Sequence, residues 1–478
     1  MPARILRIAP TAADLAPGFD RIRAEQRIPA SFDPAAEGEA AAAAARGPRP
    51  PGGAPIDRRD LELVSIDPAG SRDLDQALHV APLDGGGHRV SYAIADVAAM
   101  VEPGGALDAE ARARGVTVYL PDERTPLHPM VLSEGAASLL PGEDRAALLW
   151  TIDLDGRGEP TAARLERALV RNRAALSYPE AQAAIDDGSA APSLMLVREV
   201  GLRRLERETE RGGVSLNLPA QVVARDGDGY VLRYEATLPL EDWNAQISLL
   251  AGICAAGIME RGGVGIFRTM PPPEEKSLEV LRRGAAALGV RWEPGRSYAD
   301  VIRSLDPSRP GDAAFALRAA RTLGGADYTV WRASDGGAPP AHGAIAATYA
   351  HVTAPLRRLV DRFANEIVVA LSAGGAAPAW ALDALDALPE VMRATTSRER
   401  GAERAAVDYV EAALLAGRVG ERFAAVVVDA RDGRPVVQIA DPAVMATLKE
   451  PGPEPGTAVT VVLRGADPER RTVTFALA

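Results

Sequence analysis

The stretch that most constrains this chain runs from Leu61 to Leu78. An apolar run, Leu63-Val64-Ser65-Ile66, leads to Asp67, is broken by Pro68 and Gly70, and is followed by Asp73 and Asp75. The pattern predicts a strand that gives way to a loop at Asp67. Asp73 and Asp75 are two residues apart, so in an extended segment their carboxylates share a face, and the loop can fold Asp67 back towards them. Three carboxylates that close repel, and each raises the others' pKa unless a cation intervenes; a hard metal such as Mg2+ or Mn2+ is the simplest one. Arg72 alone cannot neutralise all three. The plainer alternative is a solvated acidic turn, since Asp, Gly, Pro and Ser are ordinary turn residues. A calcium loop is disfavoured, because no Glu stands where its last ligand belongs.

The 478 residues exceed one ordinary core and predict one large domain or two to three smaller ones. A formal charge of −11 argues against non-specific coating of nucleic acid, which relies on a net basic surface, but it leaves room for a basic channel. The single cysteine, Cys254, excludes an intramolecular disulfide and a cysteine-based zinc cluster, and its apolar helical context reads as core filling. No charged segment followed by an apolar core opens the chain. The longest apolar run, Ile247 to Met259, is too short to span a bilayer. A cytoplasmic protein with no membrane contact is expected.

Residues 1 to about 35 can form a short helix or two. The Ala tract and Arg-Gly-Pro-Arg-Pro-Pro-Gly-Gly that follow read as a linker or surface strap. Gln76–Pro82 and Arg89–Ala95, separated by Leu-Asp-Gly-Gly-Gly-His, form a predicted hairpin that would brace the acidic loop. A further strand is expected at 147–154. Helical spacing covers 179–211, 243–259 and 278–288, so the main body is α/β.

A second informative stretch is Ala341 to Asp361. Thr353 suits an N-cap, Pro355 a first turn, and Leu356, Leu359, Val360, Phe363 and Ile367 make a stripe, which together predict a helix starting here. Arg357 and Arg358 would then oppose the macrodipole in its first turn, a conflict that a bound phosphate resolves. The plainer alternative is an Arg357–Asp361 pair at i,i+4. His342 and His351 fit no zinc spacing and read as packed residues. From about Val419 four short strands, at 423–428, 436–439, 458–463 and 472–477, predict a small OB-like β-barrel whose only aromatics are Phe423 and Phe475. That leaves little surface for stacking bases.

Together the two stretches resemble the catalytic domain of the ribonuclease II/R (RNB) family. Ile66-Asp67-Pro68 with Arg72-Asp73-Leu74-Asp75-Gln76-Ala77 is similar to its first motif. Ala93 to Ala98, Arg114 to Pro121, Leu132-Ser133 with Ser138-Leu139, and Thr353 to Arg358 are similar to later motifs in the same order. The resemblance runs from about Asp57 to Asp408, and the tail is similar to the family's S1 domain. It implies an N-terminal extension over 1–56, an RNB catalytic domain over 57–415 with a mixed sheet and surrounding helices, and an S1-like OB-fold over 416–478. It also implies an exoribonuclease II-type phosphodiesterase that hydrolyses single-stranded RNA from the 3′ end to nucleoside 5′-monophosphates, acting as a monomer with Mg2+ or Mn2+. Asp67, Asp73 and Asp75 would hold the metal, and Arg357 would clamp the scissile phosphate. Tyr119 and Tyr178 would stack on bases, at roughly 1–3 kcal/mol each. Thr353, Arg358 and Glu403 fall at RNA-contacting positions.

The chain departs from the family in several places. Gln76 stands at the usual fourth aspartate, as a weaker ligand or a hydrogen-bonding residue behind the metal, with an expected effect of roughly 10- to 100-fold. Ala245 and Gln246 replace a usual pair of glutamates, Ala354 a usual serine, and Leu216 stands where an aromatic could pack on the bases. No cold-shock pair precedes the catalytic region. Two alternatives remain open: a catalytically weakened RNA-binding or regulatory protein on the same scaffold, and a metal phosphoesterase acting on small nucleotides.

Overall fold

The computed structural model describes residues 11–216, 220–306, 309–431 and 433–478. At its centre five strands pair into a ring. Gln76–Pro82 runs antiparallel to His88–Ala95, which is antiparallel to Asp144–Leu154. The 18-residue strand Pro160–Ser177 closes the ring, because its first part pairs with Asp144–Leu154 and its last residues run parallel to Leu63–Asp67. The hairpin expected from the Gly-rich turn is therefore present, and it sits beside the acidic strand, with Val64 opposite Leu78.

Alternation along these strands divides their side chains into two packed layers, as a period of two requires. Leu78, Val80, Tyr92, Ile94, Leu148 and Trp150 join the larger core, to which helices Pro192–Glu210, Pro239–Arg261, Leu359–Ser372 and Leu388–Leu415 contribute. Ala77, Ala93, Ala95, Leu149 and Ala168 face the other way, into a core shared with Ala36, Ala40 and Ala43. Those three alanines lie on one stripe of a helix, Pro34–Arg46, capped by Asp33 and ended at Gly47. The Ala tract is thus a packed helix rather than a linker, because small residues facing small residues let helix and sheet approach closely. A first helix, Ala12–Glu25, buries Phe19 and Ile22 in the main core. Only residues 48–55 remain as a strap of turn and loop.

The helical expectations sharpen in four places. The stretch 179–211 is two helices, Tyr178–Asp187 and Pro192–Glu210, separated at Gly188, which adopts a left-handed backbone. The long apolar helix is Pro239–Arg261, and it buries Cys254, whose thiol is pushed up to about 11 chiefly by burial. Helix Glu275–Ala285 belongs to a helical insertion between the paired strands Val264–Thr269 and Asp327–Arg332. The fourth change is a correction. The helix expected to start at Thr353 begins instead at Leu359, with Arg358 as its N-cap. Arg358 is extended (φ −143°) and bridges Val116, so Arg357 and Arg358 lie in a turn before the helix rather than in its first turn.

The C-terminal strands Arg422–Arg431, Arg434–Ile439, Ala458–Asp467 and Thr472–Leu477 correspond to the four expected, and a fifth, Val444–Thr447, completes an antiparallel sheet. Phe423 and Phe475 lie in its core, edge to face at 5.8 Å, and offer no stacking surface. The outward residues Val428 and Val436 pack under the helical insertion, with Leu281, Ile302 and Phe315. Among the described residues no helix is long and apolar enough to cross a membrane.

Candidate active site

Asp67 is the last residue of the strand Leu63–Asp67 and is paired in register with Ser177. Ser177 caps the helix that starts at Tyr178, so the pairing sets that tyrosine beside Asp67. Past Asp67 the chain reverses through Gly70 at φ +82°, a left-handed turn that favours glycine, and returns along Asp73 and Asp75 into the strand that starts at Gln76. Opposite lies the turn from Thr353 to Arg358. It is tied to residues 114–117 by the Thr117 amide donating to the Arg357 carbonyl (3.0 Å) and the Leu359 amide donating to Gly115 (2.9 Å). Gly115 itself sits at φ +71° against Thr395, where a Cβ would collide with the threonine methyl at 2.4 Å.

These segments enclose a cleft of about 810 Å³. Its walls include Asp67, Asp73, Asp75, Gln76, Tyr119, Tyr178, Thr353, Arg357 and Arg358, so nine of the sequence-derived candidates share one cavity. Glu403 does not line it. That residue lies in an adjoining cavity of about 540 Å³ with Arg400, Arg404 and Gln221, joined to the first through their shared wall residue, Tyr119. Arg400 and Arg404 in turn line a third cavity with Arg268 and Arg393. The net negative chain thus gathers arginines in two cavities next to the one that holds the aspartates.

The three aspartates have different surroundings. Asp75 is 4% exposed; its Oδ1 accepts from the Leu356 amide (2.7 Å), and its Oδ2 lies 3.5 Å from Arg357 Nε. Asp67 Oδ2 is buried with no hydrogen-bond partner. Burial pushes Asp67 up to about 7, against the opposing pull of Arg357 and with a contribution from Asp73. It pushes Asp75 up to about 8, against Arg357 and the Leu356 amide, with smaller contributions from Asp361 and Asp73. Asp73 has instead found protein partners, with Arg124 at 2.6 Å and the Tyr119 hydroxyl at 2.9 Å. Among the described residues no three His, Cys, Asp or Glu side chains are gathered tightly enough to hold a metal. The expected convergence is therefore met in part: all three aspartates line the cleft, but Asp73 is paired with Arg124, Asp75 is buried against Arg357, and Asp67 is partly buried with Oδ2 unpartnered. An orphaned carboxylate oxygen in a cleft that holds two further carboxylates fits a hard cation, which favours oxygen donors.

Arg357 and Arg358 have separate roles. The Arg357 side chain is 47% exposed and turned towards Asp75. Arg358, not Arg357, pairs with Asp361, which accepts from its Nε and from its Nη2 (2.8 Å) as well as from the Ala354 amide (2.8 Å). The plainer alternative, an Arg357–Asp361 pair, therefore does not form, and the cause is the later helix start, which leaves Arg357 outside the helix where i,i+4 spacing would bring it to Asp361. His351 is a packed residue, its Nδ1 2.6 Å from the Tyr328 hydroxyl. Gln246 donates to Glu208, and Leu216 packs in the helical insertion.

Two residues escaped the sequence reading. Arg124 faces Tyr119 across a short hairpin, Val118–Tyr119 with Arg124–Thr125; the turn residues Pro121-Asp122 were the available signal. Glu399 lies one turn before Glu403 on the helix Leu388–Leu415. Burial pushes its carboxyl up to about 7, aided by Glu403 and opposed by Arg400, Arg357 and Arg358. It is therefore Glu399, rather than Glu403, that feels the arginines of the cleft, and nothing in its spacing announced this.

Comparison with known proteins agrees with this architecture. The RNB domain matches residues 56–373, and the RNase II-type exonuclease C-terminal S1 domain matches residues 421–478. The chain is 30% identical over 331 residues to exosome complex exonuclease RRP44 homolog A of Arabidopsis thaliana, covering 66% of this chain and 35% of that protein. It is 29% identical over 322 residues to ribonuclease R of Escherichia coli strain K12, covering 64% and 39%. It therefore spans well under half the length of either relative. Mycoplasma genitalium RNase R in complex with ribose-methylated single-stranded RNA has the same fold at 19% identity, with a TM-score of 0.85 over 96% of this chain and 78% of that one. With an RNB match over most of its length and the S1 match following, the chain belongs to the RNB family of exoribonucleases, which are generally metal-dependent.

Proposed function

We propose that this protein is a hydrolytic 3′-to-5′ exoribonuclease, acting as a monomer on single-stranded RNA and releasing nucleoside 5′-monophosphates with Mg2+ or Mn2+. The observation that carries the reading is one cleft holding the buried Asp75 carboxylate, an unpartnered oxygen of Asp67 and the half-exposed Arg357. Asp67 and Asp75 would hold the cation, with Asp73 available once Arg124 yields it. A bound cation lowers the pKa of water and withdraws charge from a phosphoryl oxygen.

The protein's own groups do the rest. Arg357 is half exposed and is the cation best placed to take the scissile phosphate, where a fixed donor stabilises charge as it develops. Tyr119, with 41% of its surface exposed, offers a ring to a base while its hydroxyl stays on Asp73. Tyr178 is steadied by the Asn244 amide (3.2 Å) and presents a second ring. Thr353 and Arg358 shape the wall beside Arg357, and Glu403 lies along the approach with Arg400 and Arg404. In this reading residues 57–415 carry catalysis, and the barrel of residues 416–478 adds contacts to the incoming strand.

A second reading, an RNA-binding protein with little turnover, is favoured by Gln76, the neutral side chain at the fourth acidic position. A time course on 5′-labelled and 3′-labelled oligoribonucleotides, with and without divalent metal, separates the two. The nuclease reading expects metal-dependent release of labelled mononucleotide from the 3′ label at once, and laddering of the 5′ label. An oligonucleotide bound but left intact refutes it. Turnover of dinucleotides with no preference for longer chains would indicate a small-nucleotide phosphoesterase.

A further inference from the structure

Gln76 opens a strand at the floor of the cleft, yet its amide is not offered to a metal. Nε2 donates to the Thr353 carbonyl at 2.7 Å, and Oε1 accepts from the Tyr92 hydroxyl. Tyr92 is fully buried, and its hydroxyl also lies 2.7 Å from Ser248 Oγ on the helix Pro239–Arg261. One unbroken set of hydrogen bonds therefore joins both strands of the hairpin, a core helix and the first residue of the arginine turn. Both ends of the amide are used. An amide fits here where a carboxylate does not, because an ionised carboxylate has no donor and would set oxygen against the Thr353 carbonyl. Turning Gln76 towards a cation would take its donor from the Thr353 carbonyl and leave the Tyr92 hydroxyl with Ser248 alone, and lost hydrogen bonds at buried groups are costly.

We infer that Gln76 is a positioning residue rather than a metal ligand: with Tyr92 it fixes the turn from Thr353 to Arg358 against the strand that follows Asp75, and so sets where Arg357 meets a phosphate. The inference rests on the nuclease reading for the identity of that phosphate, but its geometry does not depend on turnover. It separates two properties that a ligand role would join. Cation binding should be indifferent to the amide, and RNA binding should depend on it.

The test uses the full chain and the variants Gln76→Met, Gln76→Asp and Tyr92→Phe. Mn2+ binding is followed by calorimetric titration, and single-stranded RNA binding is measured in EDTA. Gln76→Met and Tyr92→Phe should leave Mn2+ affinity within about twofold of wild type while weakening RNA binding about five- to tenfold, the effect of losing one or two buried hydrogen bonds. Under steady-state turnover the same loss should fall mainly on KM. Gln76→Asp should neither add a bound ion nor raise kcat. Tighter Mn2+ binding or faster turnover in Gln76→Asp overturns the inference, and so does weaker Mn2+ binding with unchanged RNA affinity in Gln76→Met. Should Gln76→Met fail to fold, Tyr92→Phe, which removes only a hydroxyl, carries the same comparison. Wild type that binds RNA without cleaving it counts against the nuclease reading and leaves this one to the binding data; wild type that binds no RNA leaves it to the Mn2+ titrations.

Discussion

Asp361→Asn is the perturbation whose consequence the structure fixes most closely. The Asp361 carboxylate is fully buried and accepts from three donors, two on Arg358 and one on the Ala354 amide. The Arg358 side chain is itself only 16% exposed, so removing the negative charge leaves a guanidinium largely cut off from water. Breaking one partner of such a pair costs about 3–5 kcal/mol. The asparagine oxygen can still accept from Ala354 and from one nitrogen of Arg358, which places the expected loss near the lower limit, about 3 kcal/mol. At about 2 °C per kcal/mol or less for a domain of this size, the melting temperature should fall by roughly 4–6 °C. The same side chain anchors the turn that carries Arg357, so RNA affinity in EDTA should fall by about tenfold alongside it. Scanning calorimetry and RNA binding, repeated on Arg358→Gln and on the double variant, complete the cycle. Removing both charges should cost less than the sum of the single losses by about 2 kcal/mol. An unchanged melting temperature in Asp361→Asn, or strict additivity in the cycle, refutes the idea that this pair supports the arginine turn.

Asp75→Asn keeps an oxygen for the Leu356 amide but removes a charge from the proposed cation site; turnover should fall at least about 10²-fold while RNA binding in EDTA survives, and retained cleavage would reject the assignment. Glu411 is buried, with its carboxyl pushed up to about 8 chiefly by burial and secondarily by Asp408, against a hydrogen bond from Gln221. Because the folded form holds that proton more tightly than the unfolded chain, its contribution to stability is full below about pH 4.3 and is lost as pH rises through 8. Glu411→Gln should therefore melt level with wild type in acid and several degrees above it at alkaline pH; parallel pH profiles would show that the carboxyl is not strained. The arginines of the adjoining cavities imply a steep salt dependence, with log K falling against log salt at a slope of roughly −2 to −3 if about four phosphates are contacted. Salt-independent binding would mean that these arginines do not meet the strand.

What is local and periodic could be read from the residues alone. A strand ending at Asp67, the break at Pro68 and Gly70, the hairpin after Gln76 and most of the final β-sheet follow from alternation and turn chemistry, which act over a few residues. Spacing also marked Asp67, Asp73 and Asp75, whereas Arg357 was marked through a helix start that the structure moves, and the tyrosines and Glu403 through the resemblance alone. How these residues are used depends on contacts made across the fold. Asp73 turns to Arg124 and Tyr119, Arg358 rather than Arg357 takes Asp361, and the Gln76 amide is drawn inward by Thr353 and Tyr92. Of these only Arg358–Asp361 is local, and there the later helix start set the register. Tyr92 and Thr353 lie 16 and 277 residues from Gln76, and Arg124 lies 51 from Asp73. The energy of a buried polar group depends on what the fold brings against it, and sequence spacing carries no record of that. The Ala tract taught the same lesson: small residues read as a linker until the sheet supplied a face of alanines for them to pack on.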